Sequence, residues 1–137
     1  MFHFDQTNIR NAFVELLEIS PAGQRGGFVI FEGKTDLDYV QFSLEPIGLV
    51  LNWPTYQPGG KERLPKFVVV LQKSGFVAAT KGFQSLIPGQ YLIMDDGLYA
   101  QCGRNLDTVT GLTALLLSEV FEVSELPKSR ITLELNG

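Results

Sequence analysis

Two segments of the chain carry apolar residues every three to four positions, a spacing that predicts amphipathic helices. In the first segment the apolar side consists of Ile9, Ala12, Phe13, Leu16 and Leu17. Asp5 or Thr7 can cap this helix, because a side-chain oxygen there can accept an unpaired N–H group of the first turn. Ser20-Pro21 and the glycines that follow predict its end.

Three short strands are predicted after the first helix. Residues 28–32 are rich in aromatic and β-branched side chains, which fit a pleated surface. Residues 38–44 and 49–53 alternate between apolar and polar positions on either side of a short turn at 45–48 that contains Pro and Gly. Two alternating runs joined in this way predict an antiparallel hairpin.

The segment 61–75 is compatible with a helix or with a strand. Its apolar run at 67–71 would serve as a buried strand, but together with Leu64 the same run supplies one face of a helix. Pro65 near the start and Gly75 at the end are typical of helix boundaries, so we predict a helix.

A second hairpin is predicted in the last third of the chain. Asp95-Asp96-Gly97 separates short strands at 91–94 and 98–102, and Asp-Gly tolerates the positive φ angles of a tight turn. The preceding residues 76–90 show no periodicity and predict a loop.

The last helix, predicted over 108–123 with Asn105 or Asp107 as its cap, has a broad apolar surface. Its apolar side chains spread over roughly 200°, whereas a helix that rests on a sheet needs only about 100°. One explanation is a central helix covered by the sheet and by another helix. The other is a subunit interface, because a broad apolar face left in water marks an interaction site. The candidate interface residues are Ala114, Leu115, Leu117 and Phe121.

Residues 131–135 alternate as a final strand, which makes the element order α-β-β-β-α-β-β-α-β. Antiparallel hairpins combined with amphipathic helices are typical of α+β proteins. We therefore predict a single α+β domain over residues 1–137, with an antiparallel sheet and helices packed on one of its faces.

Composition and charge narrow the functional classes. The 137 residues are 45 % apolar and 19 % charged, so the chain can bury a core and disorder is not expected. The net charge of −4 argues against nucleic acid or an anionic membrane as the main partner, because phosphate binding needs clustered positive charge. A start without basic residues and a single cysteine favour a cytoplasmic protein without a secretory signal.

The chain offers little material for catalysis. His3 is the only histidine and Cys102 the only thiol, so no His/Cys metal spacing and no Cys-His pair with a plausible geometry is present. No glycine-rich phosphate loop stands between a strand and a helix in the order that a nucleotide site needs. We therefore expect no enzyme activity, no cofactor and no metal.

Aromatic residues offer material for protein contacts. Tyr56, Phe76 and Phe83 lie in loops flanked by Pro and Gly, and Trp53 ends a predicted strand. Such aromatics suit contact with a protein or peptide. The alternative is that these loops fold down over the core.

Short motifs along the chain suggest a family. Tyr39-Val40-Gln41-Phe42 is followed by Gly48-Leu49-Val50-Leu51, then by a Leu-x-x-x-Gly-aromatic step at 71–76 and by a Leu-rich helix and strand over 107–135. In these motifs the chain resembles the YbjN-like and type III secretion chaperone-like families; residues 78–90 depart from their pattern. The resemblance implies an α+β sandwich that dimerises and binds segments of other proteins, with no catalytic residues to carry over.

These observations lead to one leading hypothesis and two rivals. The leading hypothesis is a non-enzymatic homodimeric module that binds a protein or peptide. A small-molecule-binding domain or an unrecognised enzyme would instead require a closed polar pocket with converging titratable groups. An inhibitor or immunity-type protein would act through a concentrated acidic surface.

Overall fold

The computed structural model describes residues 4–19 and 25–135. Its helices are α1 (Thr7–Ile19), α2 (Gly60–Lys73) and α3 (Leu106–Glu119). Its strands are β1 (Phe28–Glu32), β2 (Tyr39–Glu45), β3 (Gly48–Pro54), β4 (Val77–Ala78), β5 (Gln90–Met94), β6 (Gly97–Gln101) and β7 (Ile131–Glu134). The predicted helix end at Ser20-Pro21 and the lone histidine His3 lie outside the described residues.

The α+β class is confirmed, with one correction to the sheet. The strands lie in the order β4-β5-β6-β3-β2-β1-β7, and neighbours are antiparallel except for β4 and β5. The prediction of a purely antiparallel sheet was therefore wrong at one edge. Strand β4 has only two residues, both exposed, so no alternation of apolar and polar residues could have predicted it.

All three helices pack on one face of the sheet. Helix α1 lies against β1 and β7, α2 lies against β3, and α3 lies between the other two helices. At the centre of this layer, the ring of Phe13 from α1 contacts the rings of Phe31 and Phe42, with centroids 5.3 and 5.1 Å apart. Trp53 stacks on Phe67 of α2 with centroids 4.8 Å apart, which anchors α2 to the sheet.

The ambiguous segment 61–75 is a helix, as predicted. Phe67 and Leu71 face the core while Val69 is exposed, so the apolar run is split between two faces as a helix requires and a buried strand would not. Gly75 has a φ of 92° just beyond the helix, a left-handed conformation that favours glycine.

Helix α3 begins and ends earlier than predicted. Asn105 is its cap, because its side-chain oxygen accepts the N–H of Thr108 at 3.0 Å. Glu122, with a φ of 57°, ends the turn that follows Glu119. The apolar residues beyond Glu119 are buried as a turn rather than as helix, so their periodicity suggested a longer helix than the chain forms.

Among residues 4–19 and 25–135, no helix combines the length and the apolar character needed to cross a bilayer.

Candidate functional site

The residues predicted as a dimer interface on α3 lie inside the protomer. Leu117 is fully buried, Ala114 and Phe121 are 2 % and 5 % exposed, and Leu115 is half-buried against the core. The sheet, α1 and α2 together cover the broad apolar surface of α3. The premise that this helix needs a second polypeptide to cover it is therefore wrong, and the central-helix explanation accounts for its pattern.

Two of the four predicted contact aromatics are also core residues. Trp53 is fully buried and its Nε1–H donates to the carbonyl oxygen of Gly60 at 2.8 Å. Phe76 is 5 % exposed, because the chain folds down over the core directly after α2. These two residues cannot reach a partner while the protomer stays closed. Tyr56 and Phe83, by contrast, are exposed and half-buried, respectively.

The face of the sheet away from the helices carries the candidate site. The strand register places one row of side chains across six strands on this face. From β7 to β5 the row reads Thr132, Ile30, Gln41, Asn52, Tyr99 and Leu92. Two amides in the middle of the row are tied together, since Gln41 Nε2 donates to Asn52 Oδ1 at 3.0 Å. Asn52 Nδ2 in turn donates to the carbonyl oxygen of Leu98 at 3.2 Å.

The segment 79–89 covers one part of this open face. Its Leu86 is buried against the sheet, and the carbonyl oxygen of Leu86 accepts a hydrogen bond from the buried amide of Gln101. Its Phe83 ring meets the Tyr99 ring edge-on, with centroids 5.4 Å apart. The segment therefore shields β3 and β6 at one end and reaches Tyr99 of the row through Phe83. It leaves β1 and β2 without a covering helix or loop of this kind.

Three tyrosines lie toward the end of the sheet where β2 begins and β3 ends. The ring of Tyr39 also packs against Trp53 of the core, with centroids 5.4 Å apart. Tyr99 Oη donates to Asp96 Oδ2 at 2.9 Å, and Tyr39 Oη donates to Gln57 Oε1 at 2.8 Å. Tyr56 is 78 % exposed and lies near enough to both to act on their ionisation. We call Tyr39, Tyr56, Tyr99, Gln41 and Asn52 the tyrosine face.

The ionisation of these phenols reflects their surroundings. Burial raises the pKa of Tyr99 to about 12, and the hydrogen bond and negative charge of Asp96 raise it in the same direction. Burial also raises the pKa of Tyr39, with a smaller effect of the same sign from Tyr56. Both hydroxyls are therefore neutral near pH 7. Each already donates its proton within the protein, so its oxygen is left to accept a hydrogen bond from a partner.

Carboxylates flank the tyrosine face. Glu32 and Asp36 line a shallow depression of about 260 Å³ beside Tyr39 and Gln41. Asp95 and Asp96 form the turn that enters β6, next to Tyr99. Lys34 lines a depression with Glu32, and Lys61 and Glu62 line another with Tyr56. Carboxylates therefore outnumber basic groups around the tyrosine face, which gives it a moderately negative character.

The described residues show no assembled catalytic set. No group of three or more His, Cys, Asp or Glu side chains among them is arranged to hold a metal ion. Burial raises the pKa of the Cys102 thiol to about 12, so it stays protonated and unreactive near pH 7. The phenols of Tyr39 and Tyr99 also stay protonated near pH 7, because burial raises the pKa of each above its ordinary value.

Comparisons with known proteins add no relative. No protein-family model, curated protein or solved structure matches this chain. The resemblance to YbjN-like and type III secretion chaperone-like proteins therefore stays a prediction, and the assignment of a function depends on the geometry of the protein itself.

Sequence reasoning found Tyr56, and Phe83 that contacts Tyr99, but missed the rest of the site. Tyr39, Gln41 and Asn52 occupy the polar positions of alternating strands, and alternation by itself predicts only that these positions face away from the core. The side-chain types at those positions were the sequence signal that could have indicated a binding surface. Tyr, Gln and Asn are common in protein-binding surfaces, where Lys and Glu are depleted.

Proposed function

We propose that this protein is a non-enzymatic protein-binding module that holds a segment of another protein against its tyrosine face. The observation that carries this proposal is the group of phenols where β2 begins and β3 ends. Tyr56 is 78 % exposed there, and the hydroxyls of Tyr39 and Tyr99 are held by Gln57 and Asp96. Tyrosine provides a large contact area with only two side-chain torsions to order, so it binds a partner at a low cost in conformational entropy. Aromatic side chains of this kind dominate the energetics of protein interfaces.

The surroundings of the face indicate the chemistry of the partner. The hydroxyl oxygens of Tyr39 and Tyr99 are neutral hydrogen-bond acceptors, because their protons are donated within the protein. The linked amides of Gln41 and Asn52 offer further polar contacts. The carboxylates at both ends of the face favour basic side chains. The partner segment that fits best combines Lys or Arg with aliphatic or aromatic side chains. Complementary charges of this kind mainly speed association and are weakened by salt.

A photo-crosslinking experiment tests this proposal. A photoreactive phenylalanine analogue at Tyr56 is compared with the same analogue at Val69, which is exposed on α2 at the opposite side of the protein. In cells of the native host, the Tyr56 position is expected to capture a defined protein that the Val69 position does not. Cross-linking that is equal at both positions would contradict a binding site on the tyrosine face.

Binding of the captured protein is then measured with purified components. Tyr56→Ala is expected to weaken binding by a factor of ten or more, because truncation of a central aromatic at an interface costs about 2 kcal/mol or more. Val69→Ala serves as the matched control and is expected to bind like the wild type. Unchanged binding by Tyr56→Ala would show that the partner sits elsewhere.

The moderately negative charge of the tyrosine face also fits one rival function. An inhibitor of a basic partner would use the same face, since Asp95, Asp96, Glu32 and Asp36 would lie against its surface. The two functions differ in outcome: an inhibitor abolishes an activity of the captured protein in a stoichiometric complex, whereas a chaperone-like module keeps its client soluble. A solubility assay and an activity assay on the captured protein separate them.

A further inference from the structure

Strand β7 forms one edge of the sheet, and the direction of its backbone groups follows from its neighbours. The N–H of Leu44 donates to the carbonyl oxygen of Gly27, and the N–H of Gly33 donates to that of Asp38. The odd-numbered residues of β1 therefore point their backbone groups at β2, and Phe28 and Ile30 point theirs at β7.

The partners of Phe28 and Ile30 on β7 are Glu134 and Thr132. The intervening residues Ile131 and Leu133 point their N–H and C=O groups away from the sheet, and Leu135 continues this alternation. An edge with unpaired groups is a template for a further strand. Proline and charged side chains, lysine above all, commonly block such pairing; the run 131–135 contains no Pro and no Lys, and Glu134 is its one charged residue.

The space beside this edge is open. A groove of about 470 Å³ runs between α1 and β7, lined among others by Asn11, Glu15, Lys128 and Leu133. Ile131 and Leu133 are only half-buried at its floor. An added strand would cover these two side chains while it paired with the outward backbone groups.

The edge is self-complementary. When two copies of β7 pair antiparallel about a two-fold axis at Leu133, Leu133 faces Leu133 of the second copy and Ile131 faces Leu135. All three outward residues then exchange hydrogen bonds. Thr132 faces Glu134 of the second copy, so the two Glu134 carboxylates do not stand opposite one another, an arrangement that would be destabilising.

Charge favours the same arrangement. Lys128 precedes β7 and lines the groove, whereas Glu134 lies at the end of β7 and Glu15 lines the same groove from α1; Arg130 donates to the carbonyl oxygen of Gly33 within the protomer. Antiparallel pairing directs the Lys128 end of one copy toward the Glu134 end of the other. A basic or an acidic peptide would match only one half of this surface, whereas a second copy matches both.

We propose that two copies of this protein associate through β7, forming one continuous sheet across a two-fold axis at Leu133. Each α1 lies over β1 and β7, so the two α1 axes would be separated by two strand spacings, about 10 Å, which is the usual distance between packed helices. The contact is distinct from the predicted α3 interface, which the protomer buries within itself.

Engineered cysteines test the register. Thr132→Cys and Glu134→Cys are prepared as separate proteins and mixed under mild oxidation; native Cys102 is buried and does not interfere. Thr132 and Glu134 form a non-hydrogen-bonded pair across the proposed axis, the antiparallel position where side chains are closest and a disulfide can form. The mixture is expected to give disulfide-linked dimers, and neither variant alone is. Dimers from Thr132→Cys alone would overturn the register, and no cross-linking in the mixture would overturn the proposal.

A backbone variant tests the hydrogen-bonded pairing. Leu133→Pro removes an outward N–H that makes no bond within the protomer, and Leu133→Ala removes the side chain but keeps that N–H. Light scattering is expected to show twice the chain mass of 15.2 kDa for the wild type at micromolar concentration. Relative to Leu133→Ala, Leu133→Pro is expected to associate at least about tenfold more weakly, the equivalent of about 1.4 kcal/mol. A monomeric wild type, or equal association of the two variants, would overturn the proposal.

The test of the β7 dimer is independent of the test of partner binding at the tyrosine face. Tyr56→Ala changes no residue of the β7 edge and is expected to leave the dimer intact. Circular dichroism and Trp53 fluorescence establish that Leu133→Pro is folded; the cysteine pair, which leaves Leu133 unchanged, tests the proposal without that variant.

Discussion

The two faces of the sheet differ in how their side chains are buried. On the helix-covered face, Phe31, Phe42, Leu51 and Trp53 are fully buried and make one continuous core with the helices. On the other face, the strands present half-buried amides and phenols that hydrogen-bond to one another or to nearby turns. Only the segment 79–89, through Leu86, buries part of that face.

The difference shows that stability and candidate function are separated across one layer of backbone. Apolar burial on the helix side supplies the favourable free energy of folding. Folding does not require side chains on the open face to be apolar, so their types can suit contact with another protein. Substitutions on the two faces are therefore expected to have opposite consequences for stability and for binding.

The sharpest contrast is between Trp53 and Tyr56. Trp53→Ala removes a fully buried ring that stacks on Phe67, so it is expected to lower the free energy of unfolding by about 3–5 kcal/mol. Tyr56→Ala, at a 78 % exposed position, is expected to change it by less than about 0.5 kcal/mol. Urea denaturation followed by circular dichroism measures both. Similar losses for the two variants would refute the division between the faces.

A second prediction concerns how closely β7 is packed against the sheet. A Cβ atom at Gly27 would collide with the backbone carbonyl of Glu134, so Gly27→Ala must displace the end of β7. We expect a loss of about 1–3 kcal/mol in unfolding free energy, with weaker association through β7.

The matched control for that substitution is Gly82→Ala. No atom lies within 4 Å of a Cβ there, and its φ of −75° suits alanine. Its stability is expected to stay within about 0.5 kcal/mol of the wild type. A harmless Gly27→Ala would show that β7 can shift freely.

The third prediction uses the buried thiol on the helix side. The pKa of Cys102 is raised by burial from 9.0 to about 12, so the unfolded chain releases this proton at a lower pH than the folded protein. The contribution of the thiol to stability is complete below pH 9 and is lost as the pH rises toward 12, with a slope on the order of 1 kcal/mol per pH unit. Urea midpoints at increasing pH should fall more steeply for the wild type than for Cys102→Ala. Parallel pH profiles would contradict this.

The smallest expected effect lies on the open face. Tyr99→Phe removes the hydroxyl that donates to Asp96 but keeps the ring against Phe83. A partly exposed hydrogen bond of this kind contributes about 1 kcal/mol or less. The variant is expected to fold almost normally and to bind the partner more weakly, whereas Tyr56→Phe is expected to match the wild type in stability. A loss comparable to that of Trp53→Ala would mean that the open face is part of the structural core.

Much of the fold could be predicted because its helices and strands follow from local patterns of apolar and polar residues. Alternation placed β2 and β3 within a residue or two of their observed bounds, and Asp95-Asp96-Gly97 marked the turn between β5 and β6. Strand β4 was missed because its two exposed residues are held by pairing with β5 and not by their own pattern.

The candidate site was harder to predict than the fold. Tyr39, Tyr56 and Tyr99 come from three separate parts of the chain, and only the strand register and the 55–59 loop bring them to one end of the sheet. The broad apolar surface of α3 was misleading for the same reason. Periodicity shows how much surface must be covered, but it does not show which element covers it.

The amino-acid sequence by itself determined which residues form helices and strands and which positions are apolar, because these depend on side chains a few residues apart. It also limited the chemistry, with a single cysteine and a single histidine in 137 residues. Only the tertiary structure decided that α3 is central, that three tyrosines converge, and that β7 is left at an edge. These are contacts between residues distant along the chain, and they are settled by the packing of whole elements rather than by any local pattern.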